Sequence, residues 1–340
     1  MKELLKSWWK WLRYEPTDPR FNAGGVIKIT VIGGGTGLAN MLRGLKKYSD
    51  QITAVVAVTD DGSSSGVLRK EFDILPPGDI RKCISALAYD EDLISNLLEY
   101  RFSKDKKTFG GHTLGNIWIT ALSKYFNSFE KALEATTEIF KTAGRVLPAT
   151  LGNAGLVIYY ADGTTAEGES HLDEVVKKID RISLNKQKVR AYDKAVKAIG
   201  EADLVLLGPG SLYGSIIPNL LISGIRDAIY KNKRAVKVYI ANCSTERTQT
   251  AGYTIEDHIF KLINHSKKRV FDYCLVNDKI LRSSVDETKT GEINNITTSS
   301  EEVLGARIVR DNVISEKNPL YHDSDKLAKA VIDLYNKYRK

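Results

Sequence analysis

Cysteine is scarce in this chain. Cys83, Cys243 and Cys274 are odd in number, far apart and set among apolar residues. That excludes a disulfide framework and the paired spacing of a zinc site, and it fits reduced structural thiols in a cytoplasmic protein. No apolar run reaches the roughly 18 residues a membrane span needs, no cleavable leader pattern opens the chain, and no repeat or low-complexity block interrupts it. No Gly-x-x-x-x-Gly-Lys-Ser/Thr follows the first glycine-rich strand, which disfavours a P-loop nucleotidase. Lysine and arginine exceed aspartate and glutamate by 50 to 42, a formal charge of +8. The basic runs at Lys231 to Arg234 and Lys267 to Arg269 have no interleaved stacking aromatics, so nucleic acid is not expected as a partner. An anionic small ligand suits the charge.

What is present is an ordinary globular balance, 42% hydrophobic and 27% charged over 340 residues, enough for one large α/β body with a smaller elaboration. Residues 1–14 form a basic amphipathic segment. On a helical wheel Leu4, Leu5, Trp8, Trp9, Trp11 and Leu12 fill one arc and Lys2, Lys6, Lys10 and Arg13 the other. A helix docked on the protein's own body or on a partner subunit is favoured over peripheral membrane contact through residues 2–13. Residues 15–25, with Pro16, Pro19, Gly24 and Gly25, read as a linker, and residues 26–340 as a single domain.

The organising stretch is IKITVIGGGTG, Ile27 to Gly37, followed by ITAVVAVTDDG, Ile52 to Gly62. An apolar β-branched run stops at three glycines and gives way to helical spacing, which is the strand, glycine loop and helix that open a nucleotide-binding βαβ unit. Glycine lets backbone N–H groups approach phosphate oxygens, and the helix N-terminus adds favourable partial charge. Asp60 and Asp61 end the second strand roughly 20 residues on, where such folds place an acid on a ribose. Gly33-x-Gly35-x-x-Leu38 lacks the third glycine of the dinucleotide fingerprint, which makes a nicotinamide-dependent oxidoreductase the weakest reading.

Gly62-Ser63-Ser64-Ser65-Gly66 reads as a flexible loop of hydroxyl and backbone donors, and its formal match to a nucleophile elbow is weak. Asp79 sits where an N-cap would open a helix bearing Arg81, a ligand contact or a surface ion pair. An Asn127-x-x-Glu130 capping box opens a helix to Phe140. His112 and Asn116 follow Gly110 and Gly111 at a helix entrance; a satisfied core histidine is the commoner state, but this placement favours a site. Residues 144–187 turn β-rich, with an Asp162-Gly163 hairpin, and read as an elaboration carrying little chemistry. Ala202 to Leu207 is a second buried strand, running into GPGSLYGS, Gly208 to Ser215. Two such loops in one sheet flank one ligand. A strand at Val236 to Asn242, a Thr254-x-x-Asp257 cap and a C-terminal helix from Asp325 complete the α/β, Rossmann-like, doubly wound and mainly parallel fold.

GGGTG (Gly33 to Gly37), VTDDGSSSG (Val58 to Gly66), PPGDIR (Pro76 to Arg81), GHTLGN (Gly111 to Asn116), GRVLPA (Gly144 to Ala149) and GPGSLYGSIIPNLL (Gly208 to Leu221) together resemble the YvcK/CofD-like family, in its gluconeogenesis-factor (YvcK/GlmR) branch. The resemblance implies a site for UDP-N-acetylglucosamine or another UDP-sugar, no required cofactor, and a cytoplasmic role linking carbon supply to cell-wall precursors and cell shape. It also leaves room for a partner enzyme of amino-sugar synthesis and for a homo-oligomer. By carry-over, Gly34, Gly35, Thr36 and Gly37 surround the ligand's phosphates, Asp60 and Asp61 approach its ribose or a metal, and Gly210, Ser211 and Tyr213 close the other side, with Ser64, Arg81, His112 and Asn116 as further ligand contacts. No catalytic residue is assigned. The related CofD branch implies the alternative, a magnesium-dependent 2-phospho-L-lactate transferase with a guanosine diphosphate donor and the metal on Asp60 and Asp61.

The chain departs from the branch at Ser63 and Lys82, where glycine and asparagine are usual. Ser244 to Thr250 replaces a Met-Thr-x-x-Gly-Glu-Thr stretch. Tyr321 stands where an arginine would help hold the sugar nucleotide, and no counterpart of an upstream tyrosine is found around Thr290 and Gly291.

Overall fold

The computed structural model describes residues 27–279 and 295–339. The amphipathic segment 2–13, the linker 15–25 and the region around Thr290 lie outside the described residues.

Parallel strands form the centre because their sequences are apolar on both faces. β1 (Ile29–Gly33), β2 (Ile52–Val56), β3 (Arg145–Pro148), β7 (Leu204–Leu207), β8 (Val236–Ile240) and β9 (Tyr273–Asn277) pair in the order β3-β2-β1-β7-β8-β9. β11 (Ala306–Asp311) continues the parallel sheet beyond β9, and β10 (Glu302–Val303) closes it antiparallel to β11. Side chains alternate between two cores, as the strand period of two requires. Ile29, Val31, Ala54, Val56, Leu204 and Leu206 face one; Ile32, Val55, Val205 and Leu207 face the other.

The first core is covered by α1 (Gly35–Leu45), α3 (Gly78–Leu87), α4 (Glu91–Glu99), α5 (Leu114–Tyr125), α6 (Phe129–Ile139) and α12 (Ser324–Tyr338). The second is covered by α8 (Asp193–Glu201), α9 (Ile217–Leu221), α10 (Ser223–Lys231) and α11 (Ile255–Ser266) together with a small antiparallel sheet. Helices on both faces of a mainly parallel sheet make the doubly wound architecture expected from the sequence. The Thr254 and Asp257 capping box is present.

Several local readings are corrected. Ser63–Phe72 is a helix, α2, not a flexible loop. The Gly62 amide donates to Asp60 Oδ1 at 2.9 Å, and α2 then passes so close to Asp61 that a Cβ on Gly66 would lie 1.8 Å from its carbonyl oxygen. Glycine at 66 admits a helix that three serines obscure in the sequence. Asp79 lies inside the first turn of α3, whose N-cap is Pro77. The cap of α6 is Ser128, accepting from the Lys131 amide at 3.3 Å, while Asn127 takes a left-handed φ of 46°. The β-rich elaboration is shorter than 144–187: β3 belongs to the main sheet, and the small sheet is β5-β4-β6, from β4 (Leu156–Tyr160), β5 (Thr165–Glu167) and β6 (Ile179–Leu184).

α1 and α12 pack through Gly44. A Cβ there would lie 2.0 Å from the Ser324 carbonyl oxygen and 2.7 Å from Ala328 Cβ. Alanine is favoured over glycine inside a helix by about 1 kcal/mol, so the sign of the substitution measures the contact. Gly44→Ala is expected to lower stability by roughly 1–3 kcal/mol through overpacking, read as a lower urea midpoint at unchanged slope. A raised midpoint would show that α12 yields freely.

Candidate functional site

The strand order reverses direction between β1 and β7, and the crevice beyond their carboxyl ends is where such sheets take ligands. Both glycine loops arise there. Gly34 precedes α1 with extended backbone and no side-chain cap, so the first-turn amides of α1 retain the orphan donors of a helix start. Gly35 adopts φ +70°, which a β-branched residue would resist. From β7 the chain runs through Gly208, Pro209 and Gly210 into a wide turn, Leu212–Ile216, where Ser211 Oγ accepts the Gly214 amide at 3.0 Å.

The loops touch backbone to backbone. A Cβ on Gly37 would sit 3.0 Å from the Pro209 oxygen, and one on Gly210 3.1 Å from the Gly34 oxygen. Two side-chain amides brace them, buried Asn219 between the loops and half-buried Asn242 against the second. Asn219 Nδ2 donates to Gly33 O at 3.1 Å and Ser215 O at 2.7 Å, while Asn242, at the end of β8, pairs with the Gly210 amide and carbonyl at 3.3 and 3.0 Å.

Between the loops opens a cavity of about 490 Å³. Gly34, Gly35, Thr36, Gly37, Gly210 and Ser211 line it as the sequence predicts, and Asn40, Asn242, Gln249 and Tyr321 join them. No lysine or arginine does, whereas Glu169, Asp173 and Glu246 do. Burial pushes the Glu169 carboxyl well above the ordinary range, and the charge of Asp60 adds to this; Thr59 Oγ1 donates to it at 2.5 Å. Burial, then the charge of Asp173, raises Glu246 to about 7. Glu169 and Asp173 come from the turn and short helix α7 (His171–Glu174) after β5, so the elaboration read as chemically idle supplies two walls of the cavity.

A second depression of about 490 Å³ shares Glu169 and Asp173 with the first and holds Asp60, Ser64, Arg81, Lys82 and Asn116. Ser64 Oγ lies 2.9 Å from His112 Nδ1 and accepts from Asn116 Nδ2 at 2.9 Å. Arg81 is no surface residue: it is buried, paired with Glu99 at 2.9 Å and donating to Thr113 Oγ1. Burial raises the Asp60 carboxyl against the lowering hydrogen bond from Gly62, and Asp79 raises it further.

Three predicted contacts are corrected. His112 reaches Ser64 but lines neither depression. Tyr213 is fully buried, its hydroxyl 3.0 Å from that of Tyr253, and lines neither depression. Asp61 also lines neither: its Oδ1 accepts the Ser170 amide at 2.9 Å, fastening the elaboration to the end of β2. The two adjacent carboxylates therefore diverge, and as a pair they do not fit the magnesium assigned to them. Among the described residues no three histidine, cysteine, aspartate or glutamate side chains converge as for a metal ion, and no helix is long and apolar enough to cross a membrane. The sequence reading missed Asn219, Asn242, Glu169, Asp173 and Glu246. Only Asn242 carried a signal, as the polar residue ending an apolar strand on the crevice side.

Residues 29–314 match the family described as 2-phospho-L-lactate transferase CofD. A relative from Nostoc sp. is 43% identical over 319 residues, spanning 91% of this chain and 68% of its own. The Bacillus subtilis protein named gluconeogenesis factor is 37% identical over 313 residues, 90% of this chain and 98% of that one. A crystal structure of a Bacillus halodurans protein superposes with a TM-score of 0.86 at 35% identity, over 91% of this chain and all of the other.

Because folding raises the Glu169 carboxyl, the native protein holds a proton that the unfolded chain releases above about 4.5, and stability falls as pH rises beyond that value. Glu169→Gln removes this dependence. Its melting temperature relative to the parent is expected to climb as pH rises from about 4.5 toward neutrality; a pH-independent difference would mean the carboxyl is ionised in the fold.

Proposed function

We propose that this chain, which belongs to the CofD family and within it to the gluconeogenesis factors, is a regulatory protein that binds a UDP-sugar in the crevice between β1 and β7. The observation that carries this reading is the pair of glycine loops facing each other across one cavity, with an uncapped helix start on one side. A diphosphate needs donors from more than one side, and backbone amides of two loops supply them. Tyr321 lines the cavity where the branch would have an arginine, so backbone donors replace a cationic side chain in holding the phosphates.

The ligand's role is regulatory. UDP-N-acetylglucosamine, binding one arrangement of the loops more tightly than another, shifts the chain toward the form with altered affinity for an enzyme of amino-sugar synthesis in the cytoplasm, and so couples carbon supply to cell-wall precursors and cell shape. No resident cofactor is needed for this. The transferase alternative has the family description behind it, while Asp60 and Asp61 bond separate backbone amides, those of Gly62 and Ser170.

Calorimetric titration with UDP-N-acetylglucosamine, with and without magnesium and with GDP as competitor, separates the two. Metal-independent heat with the UDP-sugar and none with GDP is expected; magnesium-dependent binding of GDP alone would move the chain to the transferase reading. Gly35→Val strains a left-handed position and is expected to cost at least about tenfold in affinity while unfolding stays cooperative. Retained affinity would refute a phosphate role for this loop.

A further inference from the structure

The connection between α4 and α5 carries side chains that neither the crevice nor the core uses. Its two ends are held together. The Leu114 amide donates to Tyr100 O at 2.8 Å, the Phe102 amide to His112 O at 3.0 Å and the Gly111 amide to Phe102 O at 3.0 Å, and Arg101 and Thr113 form an antiparallel bridge. Beyond this neck the tip curls on itself: the Lys106 amide donates to Ser103 O at 3.1 Å and the Gly110 amide to Lys106 O at 3.0 Å, so closely that a Cβ on Gly110 would collide with that oxygen. The result is a compact knob in which every residue from 103 to 109 is exposed.

Two kinds of side chain share it. Tyr100 and Phe109 are 57% and 47% exposed, and half-buried Phe102 stands between them, its ring 5.2 Å from the first and 5.4 Å from the second. Leu97, whose carbonyl accepts the Tyr100 amide, adds another exposed apolar side chain at the end of α4. The same stretch holds Arg101, Lys104, Lys106 and Lys107 against one acid, Asp105, so residues 100–109 carry a net charge of +3, four cations less one carboxylate. Among the described residues only Lys106 of the three lysines has an ion pair, an exposed one of 3.4 Å with Asp105.

Exposed aromatic rings beside unpaired cations match a lipid headgroup layer, where rings leave water at the acyl boundary while ammonium groups meet phosphates. The ring geometry disfavours nucleic acid. Base stacking uses open ring faces, whereas these three rings pack on one another at 80° and 42°. A knob exposed along its whole tip also offers no groove to a peptide. We propose that residues 97–109 form a membrane-contact site that seats this protein reversibly on an anionic lipid surface, the rings entering the headgroup layer and the lysines meeting its phosphates. The inference is independent of the UDP-sugar reading. Residues 2–13 carry similar chemistry in the sequence, and the experiment separates the two.

The experiment is co-sedimentation of the full chain with vesicles of phosphatidylcholine containing about one third phosphatidylglycerol, against phosphatidylcholine alone. Anionic vesicles are expected to bind at least about tenfold more tightly, and the difference to shrink as salt rises from about 0.1 M toward about 1 M. Phe109→Ser and, separately, the triple variant Lys104→Ala, Lys106→Ala, Lys107→Ala should each weaken anionic binding by about tenfold or more, with the urea midpoint of the lysine variant unchanged. A chain lacking residues 1–13 should keep its preference for anionic vesicles. Sedimentation with neither vesicle, equal sedimentation with both, or anionic binding that both tip variants retain overturns the proposal. Complete loss of binding on removing residues 1–13 assigns the contact to that segment and overturns it as well. Tip-dependent binding of a single-stranded oligonucleotide without vesicle binding would overturn it in favour of nucleic acid.

Discussion

The structure depends on the approach of two backbones at the point where the strand order reverses. β1 and β7 are neighbours in register, Ile32 opposite Leu207, and each ends in glycines because the chains leaving them pass within van der Waals contact. A side chain on Gly37 or Gly210 would meet the opposing main chain. Asn219 and Asn242 convert that proximity into a fixed geometry by bonding the main-chain groups that glycine leaves bare. Fold and candidate site are therefore one constraint. The buried parallel strands bring the loops together, and at Gly37 and Gly210 the opposing main chain leaves no room for a side chain.

That constraint explains an electrostatic peculiarity. The chain is basic overall, yet its central cavity is walled by three carboxyl groups and no cation. Burial lifts Glu169 and Glu246 toward their neutral forms, which lowers the negative charge a phosphate would meet, and the helix start at Gly35 adds positive potential. Net charge thus says little about this site. Local desolvation decides which acids carry charge, and long-range lysines act at most on encounter.

The sheet was legible because its strands are short β-branched runs apolar on both faces, each stopped by glycine or a polar residue, and that length, branching and punctuation favour a doubly buried parallel strand over a buried helix. The glycine-loop side of the candidate site was legible for the same reason, since Gly34 to Gly37 and Gly210 to Ser211 lie at strand ends. Tyr213 was misplaced because sequence adjacency to Gly210 does not fix direction: the wide turn carries its ring inward onto Tyr253. Asp61 was misread because its partner, the Ser170 amide, lies 109 residues away. Glu169, Asp173 and Glu246 arrive from distant turns whose local sequence reads as hairpin or cap, and only tertiary packing brings them to the crevice. The serines of α2 carry weak helix propensity, so a helix held by its capping turn and by Gly66 was hidden from a reading of periodicity.

The central claim is that backbone amides of two facing loops, not basic side chains, hold the ligand. Amide hydrogen exchange of the whole chain, with and without saturating UDP-N-acetylglucosamine, reads those groups directly. The account predicts slowed exchange confined to peptides covering residues 34–38 and 210–216 and to the turns that share the cavity, with residues 186–190, which do not line it, unchanged. Protection absent from both glycine loops, in a protein shown by calorimetry to bind the ligand, would contradict it.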